Sequence, residues 1–179
     1  PQDSHAWCEH DLAARWVDQI ALIVRQQVAV QLVPSGWLGD KVRFINGLKD
    51  CHLAVEIHFN SNASAKARGS ETLYCPNSTR GHSSAQQVQR LVAVVFPPDR
   101  GAKPGWHRMD RPGHVDYLGD VEGDEKVDYF LAKTAPVALI VEPEFIYNRT
   151  TLEKLELSGC RAVAEGLLAA YDQLLETIG

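Results

Sequence analysis

The sequence is poor in several features that would point to a function. Its four cysteines (Cys8, Cys51, Cys75 and Cys160) are scattered without CxxC spacing, which excludes a zinc ribbon and a thioredoxin-like motif. They read as core thiols of a reducing compartment. Basic residues are outnumbered: the net charge is −5 and the pI near 5.8. A nucleic-acid binder normally carries a basic patch, so that class is disfavoured, and nothing suits an anionic membrane surface. No apolar run approaches the ~18 residues of a membrane span. The opening PQDSHAWCEH has neither the basic head nor the apolar stretch of a signal peptide. It also lacks an initial Met, which reads as a processed or incomplete N-terminus.

What is present is an ordinary globular composition, 45% hydrophobic and 23% charged over 179 residues. That length suits one domain, with no repeat or linker to divide it. Leu12, Trp16, Ile20 and Val24 recur every four residues, so 9–27 is expected to be helical. Further helices are expected over 39–50, 83–96 and 150–178, with a short one at 128–133. Capping boxes are expected at Ser83/Gln86 and Thr150/Glu153. Strands are expected over 28–34, 51–60, 70–75 and 137–141, and an irregular connection over 97–128. Helices alternating with apolar strands imply an α/β single-domain sandwich, a mostly parallel central sheet flanked by helices.

The stretch VALIVEPEFIYN (137–148) carries a question. Five apolar residues run straight into Glu142, which is either a solvated strand end or an acid aimed into a cleft. Sites in open α/β sheets gather at carboxyl ends of strands. His58 lies near the end of a second strand, and Glu9 opens the first helix. Alone, Glu9 needs no more than the helix macrodipole to explain it, and His58 reads as a hydrogen-bonded structural histidine. Together they could meet at one sheet edge and hold a catalytic zinc, which takes three N/O ligands and a carboxylate base nearby.

Four stretches, in order, resemble one family. EHDLAARWV is similar to a Glu-led first helix, and DKVRFIN to the segment before a central strand. LAVEIHFNSNASAKARGSETLYC resembles a "SIHANA…GVETYY" block, and VALIVEPEFIYN a "PAVLVEPGFLSN" block. The family is that of the zinc-dependent N-acetylmuramoyl-L-alanine amidases of bacterial autolysins and phage endolysins. The resemblance implies a zinc (Zn2+) held by His, Glu and His, with His58 and Glu9 as two of the ligands and Glu142 as the catalytic acid. The third ligand is either His5 or a histidine upstream of Pro1, where the family's first strand would lie. His10, beside Glu9, is expected to point elsewhere.

The chain also departs from the pattern. Glu56 stands two positions before His58, on the same strand face, as a group behind the metal or a solvated acid. Glu144 replaces a usual Gly and is expected to tune substrate choice. Asn60 and Asn62 could bond sugar or peptide groups, although Asn in a turn needs no such reason. His107, His114, Trp106 and Tyr117 lie in the long connection, and could border the cleft or simply be surface residues.

The implied function is hydrolysis of peptidoglycan at the amide between N-acetylmuramic acid and L-alanine by zinc-activated water. Three alternatives stand beside it. One is a catalytically impaired amidase-fold module that binds peptidoglycan. Another is a zinc carboxypeptidase-like peptidase, for which neither Arg68 nor Arg111 can be assigned as the carboxylate clamp. The last is a glycosidase using Glu142 and Glu144, whose shared strand end fits poorly with a pair that must flank a bond. The expected partner is peptidoglycan, with no nucleic acid, no membrane and a monomeric chain. The expected place of action is the cell wall, reached as a released endolysin or an exported enzyme.

Overall fold

A computed structural model describes residues 8–62, 64, 66–107 and 126–177. The elements are α1 (Glu9–Val24), α2 (Leu38–Asn46), β1 (Leu53–Ile57), β2 (Ser70–Tyr74), α3 (Thr79–Val95), β3 (Asp99–Pro104), β4 (Trp106–His107), β5 (Lys126–Val127), α4 (Tyr129–Lys133), β6 (Val137–Glu142) and α5 (Arg149–Glu176). Four strands form one sheet in the order β1-β6-β2-β3, while β4 and β5 pair separately. The β1–β6 and β2–β3 pairings are parallel, and β2–β6 is the single antiparallel junction of the four-stranded sheet. The α/β architecture with a mostly parallel sheet is as the sequence implied.

Strand residues alternate between faces, and the two apolar clusters follow that alternation. Ile57, Phe59, Leu139 and Val141 pack with Leu12 and Trp16 of α1, Val88 and Val92 of α3, and Val163 of α5. Ala54, Ala138 and Ile140 face the other way, onto Val42 and Ile45 of α2 and Phe130 and Leu131 of α4. The first cluster is the larger. Its centre is Trp16, fully buried and edge-on to Phe59, with ring centroids 5.2 Å apart.

Helices α3 and α5 meet closely at Gly166. A Cβ there would lie 2.7 Å from the Val88 Cα, a backbone atom that cannot step aside. Gly166→Ala is therefore expected to destabilise the fold by about 1–3 kcal/mol despite alanine's better helix propensity. Equilibrium urea unfolding measures this; an unchanged midpoint would contradict the packing.

Several expected elements differ. Residues 28–34 form no strand. A cavity of about 470 Å³, lined by Val28, Val30, Leu53 and Val55 among others, separates this segment from β1. Without a ladder partner among the described residues, its apolar pattern makes no strand. Helix α3 starts earlier than expected, because Ser78 caps it by accepting from the Gly81 N–H at 2.9 Å, leaving Ser83 and Gln86 inside the helix. The N-cap of α5 is Asn148, with no side-chain cap, in place of the expected Thr150 box. The 97–128 connection carries β3 and both short strands. All four cysteines are free thiols. Among the described residues, no helix is long and apolar enough to cross a membrane.

Candidate active site

The period of two fixes the site's location. Counting from Ile140, Glu142 falls on the α2/α4 side of β6. Counting from Ala54, Glu56 and His58 fall on that side of β1 and its extension. On β2, Leu73 belongs to the same apolar cluster and Glu71 lies two residues before it. A cleft of about 410 Å³ opens over this face, lined by Leu38, Lys41, Glu56, His58, Asp128 and Glu142 among others. The acid ending VALIV is therefore aimed into a cleft.

Pairing continues past the end of β1. The His58 N–H donates to the Val141 carbonyl at 3.0 Å and the Asn60 N–H to the Glu144 carbonyl at 3.0 Å. This holds His58 and Asn60 rigidly beside the end of β6. Glu9 arrives from the opposite layer, as the first residue of α1, one position after the N-cap Cys8. Its Oε1 accepts from the Phe59 N–H at 3.1 Å and lies 3.1 Å from His58 Nδ1. The helix start and the strand end, 49 residues apart in sequence, thus present one carboxylate and one imidazole together. The Glu56 Oε2 lies 3.4 Å from the other ring nitrogen of His58. Hydrogen bonds to Glu56 and then to Glu9 raise the His58 pKa to about 10, against the opposing effect of burial. The bond to His58 in turn lowers the Glu9 pKa.

Glu142 has a contrasting environment. Burial, then hydrogen bonding to and repulsion by Glu71, raise its pKa to about 7 despite the nearby His58 and Arg100. Glu71 stands directly opposite Glu142 in the antiparallel β2–β6 register. The Asn60 amide Nδ2 donates to both acids, at 2.6 Å to Glu142 Oε2 and 2.5 Å to Glu71 Oε1. Lys103 Nζ holds the other oxygen of Glu71, Oε2, at 2.7 Å, and Arg100 Nη2 lies 3.0 Å from Oε1, the oxygen that also accepts from Asn60. The sequence reading missed Glu71. Its signal was a carboxylate inside the expected 70–75 strand, with basic residues in the segment that follows α3.

The two residues expected to contact substrate both have protein partners. Glu144 is only 2% exposed, and its Oε1 accepts from the Gly69 and Phe145 N–H groups at 3.0 and 2.7 Å. It therefore anchors a turn and does not face substrate. The turn requires Gly69, whose φ is +101° and where a Cβ would sit 2.2 Å from the Pro98 carbonyl oxygen. Asn60 enters the site as a bridge between two acids, its amide nitrogen already engaged. Asn62 accepts from the Ser64 N–H at 2.9 Å, a turn role that needs no ligand. His10 is exposed on α1. His5, Arg111, His114 and Tyr117 lie outside the described residues, and β4 carries Trp106 and His107.

Among the described residues, no group of three His, Cys, Asp or Glu side chains is arranged to hold a metal. Glu9 and His58 do fit as a partial donor set. Two corners of a tetrahedral zinc with bonds of ~2.0–2.2 Å stand about 3.3 Å apart, close to the 3.1 Å between Glu9 Oε1 and His58 Nδ1.

Residues 9–171 match the model of the family described as N-acetylmuramoyl-L-alanine amidase. No curated protein matches the chain in sequence. Among solved structures, an N-acetylmuramoyl-L-alanine amidase from Clostridium difficile 630 is similar in fold, with a TM-score of 0.70 and 21% identity over 99% of this chain and 89% of that one. The catalytic domain of the CD27L endolysin targeting Clostridia difficile gives a TM-score of 0.67 and 22% identity, over 90% of this chain and 83% of that one. For a putative N-acetylmuramoyl-L-alanine amidase from Neisseria meningitidis, the TM-score is 0.61 and the identity 26%, over 92% and 84% of the two chains.

Proposed function

The chain belongs to the N-acetylmuramoyl-L-alanine amidase family, and from that membership and the cleft geometry we propose that it cuts the amide between N-acetylmuramic acid and the L-alanine of the stem peptide with the help of zinc. One observation carries the reading. A carboxylate and an imidazole, from a helix start and a strand end, meet beside a second carboxylate whose basicity is raised by burial.

Glu9 and His58 would hold the zinc. When bound, zinc supplies Lewis-acid polarisation of the scissile carbonyl and of water. The chain's own part is proton transfer. Glu142 accepts the proton that water gives up as its oxygen bonds to the lactyl carbonyl carbon. It returns that proton to the alanine nitrogen as the C–N bond breaks, leaving a carboxylate on the muramic acid and a free amine on the peptide. A carboxyl group near pKa 7 suits both halves of this exchange at neutral pH, where an ordinary glutamate would be a weaker base. Lys41, which also lines the cleft, offers a positive charge to the substrate.

Two assays test the reading. The zinc-supplemented chain is expected to release dye from labelled peptidoglycan, and a chelator to stop it. Release unaffected by the chelator would remove zinc from the account. His5→Ala in the longest natural form of the protein separates the two assignments of the third ligand. Lost zinc assigns His5, and unchanged zinc content assigns a histidine upstream.

A further inference from the structure

We propose that Glu71 is a positioning residue of this reaction: pinned by Arg100 and Lys103, it holds the Asn60 amide in the one orientation that fixes the Glu142 carboxylate in the cleft. The proposal rests on the reading of Glu142 as the proton carrier.

Three observations support it. First, two carboxylates stand directly opposite each other across the β2–β6 ladder, an arrangement that destabilises a sheet. The two cations that could relieve this both bind Glu71, Lys103 at 2.7 Å and Arg100 at 3.0 Å. Neither is hydrogen-bonded to Glu142, which is held by Asn60. Second, the Asn60 amide nitrogen has two hydrogens, and both acids lie within reach of it. An amide held on one side by a carboxylate that two cations pin cannot turn away from the other. Third, the pinning groups are themselves fixed. The Arg100 guanidinium sits 4.8 Å above the Phe145 ring, and the Glu71 side chain is only 8% exposed. The line from Arg100 and Lys103 through Glu71 and Asn60 to Glu142 is thus continuous. It ends on the group that exchanges the proton.

A merely structural ion pair would stabilise the sheet without acting through Glu142. Steady-state kinetics of the zinc-loaded chain on a soluble muramyl peptide separate the two roles, using Glu71→Gln, Glu142→Gln and the double variant. Glu71→Gln is expected to lower kcat by roughly 10–100-fold with KM within about threefold, the mark of an interaction lost from the transition state. In the Glu142→Gln background the same change is expected to have less than about a twofold effect, because the residue it positions has lost its function. An equal loss in both backgrounds, or a change in KM alone, would overturn the proposal. If Glu71→Gln fails to fold, Asn60→Ala breaks the same line with the ion pairs intact, and is expected to show the same dependence on Glu142.

A second readout needs no turnover. The Asn60 side-chain NH2 signals in a 15N–1H spectrum are expected to stand away from those of exposed asparagines and to move in both Glu71→Gln and Glu142→Gln. Signals that ignore Glu71 would overturn the linkage. If the unaltered chain cuts no muramyl peptide, the amidase reading fails, while these signals still decide whether Glu71 positions Asn60.

Discussion

Glu142→Gln is expected to keep the fold and the bound zinc while hydrolysis of labelled peptidoglycan falls by roughly two to four orders of magnitude, the usual worth of a positioned acid–base group. The amide can still accept from Asn60, so the cleft keeps its shape, but it cannot carry a proton. Zinc loss in this variant would make Glu142 a ligand, and near-normal hydrolysis would end its catalytic role. The same variant should reveal a stability effect. Folding raises the Glu142 pKa from 4.5 to about 7. The folded state therefore binds this proton more tightly than the unfolded state. The contribution favours the fold below pH 4.5 and is lost as pH rises through 7. In zinc-free protein, Glu142→Gln is therefore expected to gain stability relative to wild type at pH 8 and not at pH 4. The gain should be about 1–2 kcal/mol after allowing for partial solvent screening. Denaturant titrations at the two pH values measure it.

His58→Ala is expected to lose most of the bound zinc and to bring wall hydrolysis down to background. The imidazole lies 3.1 Å from Glu9 Oε1, and its removal leaves Glu9 and Glu56 without the group between them. Full zinc occupancy in the variant, by elemental analysis, would remove His58 from the metal centre. A pH dependence accompanies this. In zinc-free protein the bonds to Glu56 and Glu9 raise the His58 pKa from 6.5 to about 10, so zinc is expected to displace a proton at neutral pH. Uptake should release that proton and strengthen as pH rises. The sign for stability is opposite to an acid's usual one. Stability from the protonated imidazole is complete below pH 6.5 and lost as pH climbs through 10. That alkaline loss should be absent from zinc-free His58→Ala.

Features set by local pattern are legible in the sequence, and those set by non-local pairing are not. Helix α1 was readable because one stripe, Leu12 to Val24, serves one core, and all four of its marker residues are buried. Glu142 was readable as a cleft residue because an apolar run and a following Pro143 mark a strand end. The 28–34 segment shows the limit: its pattern suits a strand, yet a strand exists only with a partner to pair with. Glu71 and Asn60 could not be joined to Glu142 from sequence, because long-range pairing brings each of them there, Glu71 through the antiparallel β2–β6 register and Asn60 through the continuation of β1 beside the end of β6. Glu144 fails for a related reason. Two residues past Glu142 it shares that residue's parity, but β6 has ended and the chain turns its carboxylate inward onto the Gly69 amide.

The central claim is that this cleft adds water across one amide, between muramic acid and L-alanine. Digestion of purified muropeptides by the zinc-loaded chain in 18O-labelled water, read by mass spectrometry, tests it most directly. One 18O atom is expected in the lactyl carboxylate, together with an intact stem peptide carrying a free alanine amine. Label at a sugar anomeric carbon, or in a carboxylate within the stem peptide, would contradict it.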